Sequence, residues 1–173
     1  MNKRLILVRG LPGSGKTTKA KQIIASNNNK NIILFEADMF HIIDGKYQYD
    51  VSKASDAHDW CRTQAACHLN KGLDVVVANT FTTMAELRPY IEVARRYGAD
   101  TLLVETRGNF KSEHGVPAEV IEKMRARWEE YDENKITAKD EIIDQVDAAT
   151  KTKEGKSDEA NVENEVKVTA PVA

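Results

Sequence analysis

The sequence predicts an α/β fold in which a parallel sheet carries helices on both faces. RLILVRG at 4–10 is a short apolar run that stops at a glycine, and helical spacing resumes in TTKAKQIIAS. The chain therefore opens as strand, glycine loop, helix. Further apolar runs at 31–38, 73–79 and 100–106 alternate with longer helical segments, the element order of parallel strands joined by right-handed crossovers. Such a sheet brings its strand carboxyl ends to one edge, where ligands bind.

Each element has its own signal. The first helix is stopped by the asparagines at 27–29, and NIILFEAD at 31–38 reads as a second buried strand. Turn residues and two tyrosines make 44–50 a loop. Ala57, Trp60, Cys61, Ala65, His68 and Leu69 give 52–71 a helical period, with Gly72 as its stop. LDVVVAN at 73–79 is the third strand, and Thr83 with Glu86 forms a capping-box pattern for a helix running to Gly98. DTLLVET at 100–106 is the fourth strand, RGNFKSEHG is irregular, and Pro117 opens a helix through Val120, Ile121, Met124 and Trp128. Residues 134–173 hold six basic and nine acidic side chains and no aromatic. That composition buries too little apolar surface to offset ordering entropy. The expected organisation is one folded domain over 1–133 and a polar, mostly disordered tail over 134–173.

Composition narrows the function less than the motifs do. The 173 residues suit one domain with a core, and a net charge of −2 gives no overall basic bias toward nucleic acid. Cys61 and Cys67 are spaced for neither a redox pair nor a zinc site, so both read as buried thiols of a reducing compartment. The first apolar run is far too short for a signal-peptide core or a membrane span, and the expected location is cytoplasmic.

GLPGSGKT at 10–17 matches the phosphate-binding P-loop in full and lies between a strand and a helix. Gly10, Leu11, Pro12, Gly13, Ser14 and Gly15 form the loop, with Lys16, Thr17 and Thr18 opening the helix. Its glycines let backbone amides turn toward phosphate oxygens while the helix terminus adds positive potential. Lys16 can reach the β and γ phosphates of ATP, and the Thr17 hydroxyl can ligate Mg2+.

Six more candidate positions follow the other three strands. Asp38, after the second strand, is the candidate general base for a hydroxyl acceptor, the alternative being a turn aspartate. Glu36 lies two residues deeper and reads as structural. Asn79 and Thr80 follow the third strand, either bonding to substrate or capping the turn. Many P-loop ATPases carry an acid at such a strand end, and VVVANT has none, which favours a kinase over a hydrolytic motor. Arg107 and Lys111 flank the irregular segment, as cations for the transferring phosphate or as solvated surface charge.

RGLPGSGKT, EADMF at 36–40, AHDWC at 57–61, ANT at 78–80, ELRPY at 86–90 and HGVP at 114–117 occur in an order that resembles the polynucleotide-kinase-like P-loop kinases. The likeness covers residues 4–131 and is nearest the branch of NEDD4-binding protein 2-like proteins and phage 5′-hydroxyl polynucleotide kinases. It implies a four-stranded parallel sheet with a short lid and transfer of the ATP γ-phosphate to a hydroxyl. Asp38 then matches the family's general base, and Lys16 and Thr17 its phosphate and magnesium residues. Lys111 falls where the family has a lid arginine, with Arg107 one helical turn earlier, and DNTN is replaced by ANTF. The implied partners are ATP and a 5′-hydroxyl nucleic acid end. A small hydroxyl metabolite (nucleoside, sugar or antibiotic) is the alternative acceptor, and a nucleotide-gated binding module the alternative class.

Overall fold

The structure is a computed structural model that describes residues 3–27, 31–111, 115–131 and 140–142. Its central strand is β1 (Arg4–Arg9), whose residues Leu5 to Arg9 are all buried. The chain continues into α1 (Lys16–Ser26) and β2 (Ile32–Phe35), then through α2 (Ala54–Asn70) to β5 (Asp74–Ala78). Between β2 and α2 lies a hairpin of β3 (Ile42–Ile43) and β4 (Lys46–Tyr47). α3 (Met84–Arg96), β6 (Asp100–Glu105), α4 (Ala118–Ala126) and β7 (Asp140–Ile142) complete the order.

The sheet runs β2-β5-β1-β6-β7, and every pair in it is parallel. Its first four strands are those the sequence predicts. The fifth lies in the segment read as tail, most of which falls outside the described residues. Placing β1 at the centre sends the chain first to one side and then, at β6, to the other. The glycine loop after β1 thus sits at the crevice of a doubly wound sheet.

Alternation along the strands divides the core. Leu5, Leu7, Phe35, Val75, Val77 and Leu103 pack with Cys61, Ala65 and Leu69 of α2 and with Leu87, Tyr90, Ile91 and Ala94 of α3. Ile6, Val8, Leu34, Val76, Ala78 and Val104 face α1 through Ala20, Ile23 and Ile24. Each buried Leu or Val contributes about 1.5–3 kcal/mol, which anchors the strand ends that carry the site.

Four local expectations are corrected. β2 ends at Phe35, so Asp38 sits on a 3-10 turn (Ala37–His41) and not on a strand. Within 44–50, Lys46–Tyr47 is a strand, because Asp44 (φ 50°) and Gly45 (φ 73°) supply the positive φ values that a two-residue hairpin needs. At α3 the Thr83 side chain makes no capping bond. Glu86 accepts instead from the Thr82 amide at 2.6 Å, and the distant Glu129 carboxylate accepts from the Met84 amide at 2.7 Å. Cys67 is exposed, while Cys61 is buried.

Candidate active site

The P-loop follows directly from β1. Gly13 (φ 78°) and Gly15 (φ 91°) take left-handed conformations that turn the backbone around the loop. Gly10 has a different reason to be glycine, since an added Cβ would meet Ser14 Oγ and the Thr106 side chain. Among the described residues no side chain caps α1, which leaves its first amides for an anion. Lys16 Nζ donates to the Leu11 carbonyl at 3.0 Å and arches over the loop. Burial pulls its pKa below the ordinary lysine range, opposed by the carboxylates of Asp38 and Glu36.

Those two carboxylates come from the end of β2. Glu36 Oε1 accepts a 2.7 Å hydrogen bond from the Thr17 hydroxyl. Burial pushes the Glu36 pKa up, while the bond from Thr17 and nearby Lys21 and Lys16 work against that rise. Glu36 therefore reaches the phosphate-binding helix. The sequence alone does not reveal this contact, because the partner is nineteen residues away and on another element. Asp38 is exposed at the rim, and Oδ1 accepts from the Tyr47 hydroxyl at 3.1 Å. Burial first, and then the Asp38 charge, raise the Tyr47 pKa, so the phenol is protonated at neutral pH and donates.

Asn79 is turned inward. Its Oδ1 accepts from the Ala37 amide at 2.8 Å and its Nδ2 donates to Cys61 Sγ at 3.6 Å. It thereby holds the turn that carries Asp38. Thr80 contributes its carbonyl to the Gly10 amide at 3.2 Å, closing the start of the loop.

The segment after β6 lies along the P-loop. Gly108 N donates to Ser14 O at 3.2 Å and Phe110 N to Gly13 O at 2.8 Å, while the Ser14 and Thr106 hydroxyls are 2.7 Å apart. The Phe110 ring, 70% exposed, covers Gly15 and Gly108. Arg107 pairs with Glu105 at 2.6 Å and Glu130 at 3.5 Å at the surface, and Lys111 is exposed. A half-open cleft of about 730 Å³ between α1 and β6 runs from Ser14, Gly15 and Phe110 beside the loop to Arg4, Ser26 and Asn27 at the other end of the sheet.

Arg9 escapes a sequence reading altogether. One residue before Gly10, it is wholly buried behind the apolar run Leu5 to Val8. Its guanidinium lies 3.9 Å from the Trp128 ring centroid, and Nη2 donates to the Glu129 carbonyl at 2.9 Å. Nη1 faces Glu105 Oε2 at 3.9 Å. The root of the P-loop is thereby fastened to the chain beyond α4.

This fold and loop define a nucleotide-binding P-loop domain. The chain belongs to the AAA_33 family, described as an AAA domain, whose model matches residues 5–148. It is 31% identical over 137 residues to NEDD4-binding protein 2 of Homo sapiens, a match that takes in 73% of this chain and 8% of that protein. To the uncharacterized protein PM0531 of Pasteurella multocida (strain Pm70) it is 28% identical over 131 residues, spanning 69% of this chain and 73% of that one. In fold it is similar to a chain of the Pnkp1/Rnl/Hen1 RNA repair complex, with a TM-score of 0.57 at 19% identity, covering 73% of this chain and 44% of that chain. Among the described residues no helix is long and apolar enough to cross a membrane.

Proposed function

We propose that residues 1–133 transfer the γ-phosphate of ATP to a hydroxyl acceptor, the 5′-hydroxyl of a polynucleotide. The observation that carries this is the placement of Asp38, exposed at the crevice rim, held by Tyr47 and close enough to Lys16 to act on its charge. An exposed carboxylate facing the phosphate-binding lysine can take a proton from an incoming hydroxyl. The acceptor oxygen then bonds to the γ phosphorus, the bond to the β-phosphate oxygen breaks, and ADP leaves. Lys16 and the loop amides hold the phosphates, and Lys111 or Arg107 approaches the transferring group from the segment after β6.

The Thr17 hydroxyl and the Glu36 carboxylate are hard oxygen donors of the kind Mg2+ prefers. A magnesium ion bound with the nucleotide would neutralise charge between the β and γ phosphates.

Support for a base-bearing acceptor comes from the hairpin beside Asp38. Tyr47 and Tyr49 stack at 6.5 Å with an interplanar angle of 17°, Tyr49 is 59% exposed, and such rings take up nucleobases. A second reading, a small hydroxyl metabolite, is favoured by the charge around that hairpin, where Asp44 and Asp50 balance Lys46 and Lys53. Incubation with γ-labelled ATP and a panel of 5′-hydroxyl oligonucleotides, nucleosides and sugars decides between them. Label in the oligonucleotide supports the first reading and label in a sugar the second. ATP binding with no labelled acceptor overturns both.

A further inference from the structure

The last position of β5 is the place where many P-loop proteins carry the acid that supports magnesium, and here it is Ala78. The register of β2 against β5 pairs Ile32 with Asp74, Ile33 with Val75, Leu34 with Val76 and Phe35 with Val77. Glu36, one residue past the end of β2, is still extended (φ −132°, ψ 141°), so continuing this register by one step sets it level with Ala78. Side chains in register on parallel strands share a face, and this one is the α1 face, where Leu34, Val76 and Ala78 pack with Ala20. The carboxylate of Glu36 thus lies one strand over from the missing one and reaches the same helix. It accepts the Thr17 hydroxyl proton at 2.7 Å.

We propose that Glu36 is the magnesium-site carboxylate of this domain, supplied from β2 in place of the acid that position 78 lacks. A threonine hydroxyl has one proton and two lone pairs. Donating the proton to Glu36 fixes the rotamer and leaves a lone pair directed away, available to a cation. A neighbouring carboxylate also makes the hydroxyl oxygen a better ligand, as partners of metal ligands do elsewhere. Glu36 is held there from outside as well. Asn79 clamps the adjoining Ala37 amide at 2.8 Å, so the residue after the last strand position of β5 positions the turn that begins with Glu36. The small Ala78 side chain, 3% exposed, leaves the strand end to its neighbour.

This inference rests on the magnesium and ATP reading above, but its test does not require phosphoryl transfer. Mn2+ binding by electron paramagnetic resonance, in the presence of a non-hydrolysable ATP analogue, is compared for the parent chain, Glu36→Gln, Glu36→Ala and the double variant Glu36→Ala with Ala78→Asp. The expected result is a loss of Mn2+ affinity of about 10- to 100-fold in both single variants, larger than any change in metal-free analogue affinity. The double variant recovers most of the loss, because it restores a carboxylate on the same face one strand away. Circular dichroism confirms that each variant is folded, and Glu36→Gln, close to isosteric, carries the test where an alanine does not fold. Unchanged Mn2+ affinity in Glu36→Gln overturns the proposal, as does absence of Mn2+ binding by the parent complex. Lost and recovered Mn2+ affinity in a protein that labels no acceptor sustains the metal role of Glu36 and removes only the assigned transfer.

Discussion

The Tyr47 hydroxyl donates a 3.1 Å hydrogen bond to Asp38 Oδ1, joining the exposed hairpin to the residue assigned as general base. A bond to a charged group is worth about 1.5–3 kcal/mol when buried and less at an exposed site. Tyr47→Phe is therefore expected to lower kcat by about 3- to 10-fold and leave the KM for ATP unchanged. Steady-state transfer assays that separate kcat from both KM values check this.

Lys16 Nζ donates to the Leu11 carbonyl and makes no ion pair among the described residues, so the fold is expected to survive loss of its charge. Lys16→Ala is expected to reduce ATP affinity by at least about tenfold while the circular dichroism spectrum is retained. Titration with a fluorescent ATP analogue measures the affinity.

Arg9 is buried under Trp128 and donates to the Glu129 carbonyl at 2.9 Å. Truncation empties the space beneath Trp128 and leaves the Glu129 carbonyl without its donor, while Glu105 keeps its closer pair with Arg107 at 2.6 Å. Arg9→Ala should cost about 2–5 kcal/mol, the range for emptying a large buried side chain. Arg9→Met, which keeps the volume, should cost less. Urea denaturation of the two variants ranks them.

The two cysteines should behave differently. Burial pushes the Cys61 thiol up to about 11, whereas Cys67 is exposed. At pH 8 a thiol reagent should modify Cys67 quickly and Cys61 only after unfolding, a stoichiometry that absorbance reads directly. Because the folded state holds the Cys61 proton more tightly, its contribution to stability is complete below the unfolded value of 9.0 and is lost as pH rises toward 11. Cys61→Ala should remove that alkaline loss.

The parts of the site that were legible in the sequence are those that a few adjacent residues determine. GLPGSGKT contains its own turn conformations and its own helix start, and the apolar runs at 4–9, 74–78 and 100–105 carry their burial in their composition. Asp38 was legible as a residue at the edge, although not as part of a 3-10 turn. What escaped depends on partners far along the chain. Glu129 caps α3 from 45 residues away, Arg9 reaches Glu129 across 120, and Asn79 faces Ala37 and Cys61 because two crossovers bring them together. The hairpin at 42–47 did have a local signal in Asp44-Gly45, which the turn-rich surroundings obscured.

The most direct test of phosphoryl transfer through Asp38 is Asp38→Asn, followed in parallel by γ-phosphate transfer and by ATP affinity. With Asp38 as the base, transfer is lost while ATP affinity changes by less than about tenfold. Retained transfer, or a loss of ATP binding as large as the loss of transfer, would contradict that role.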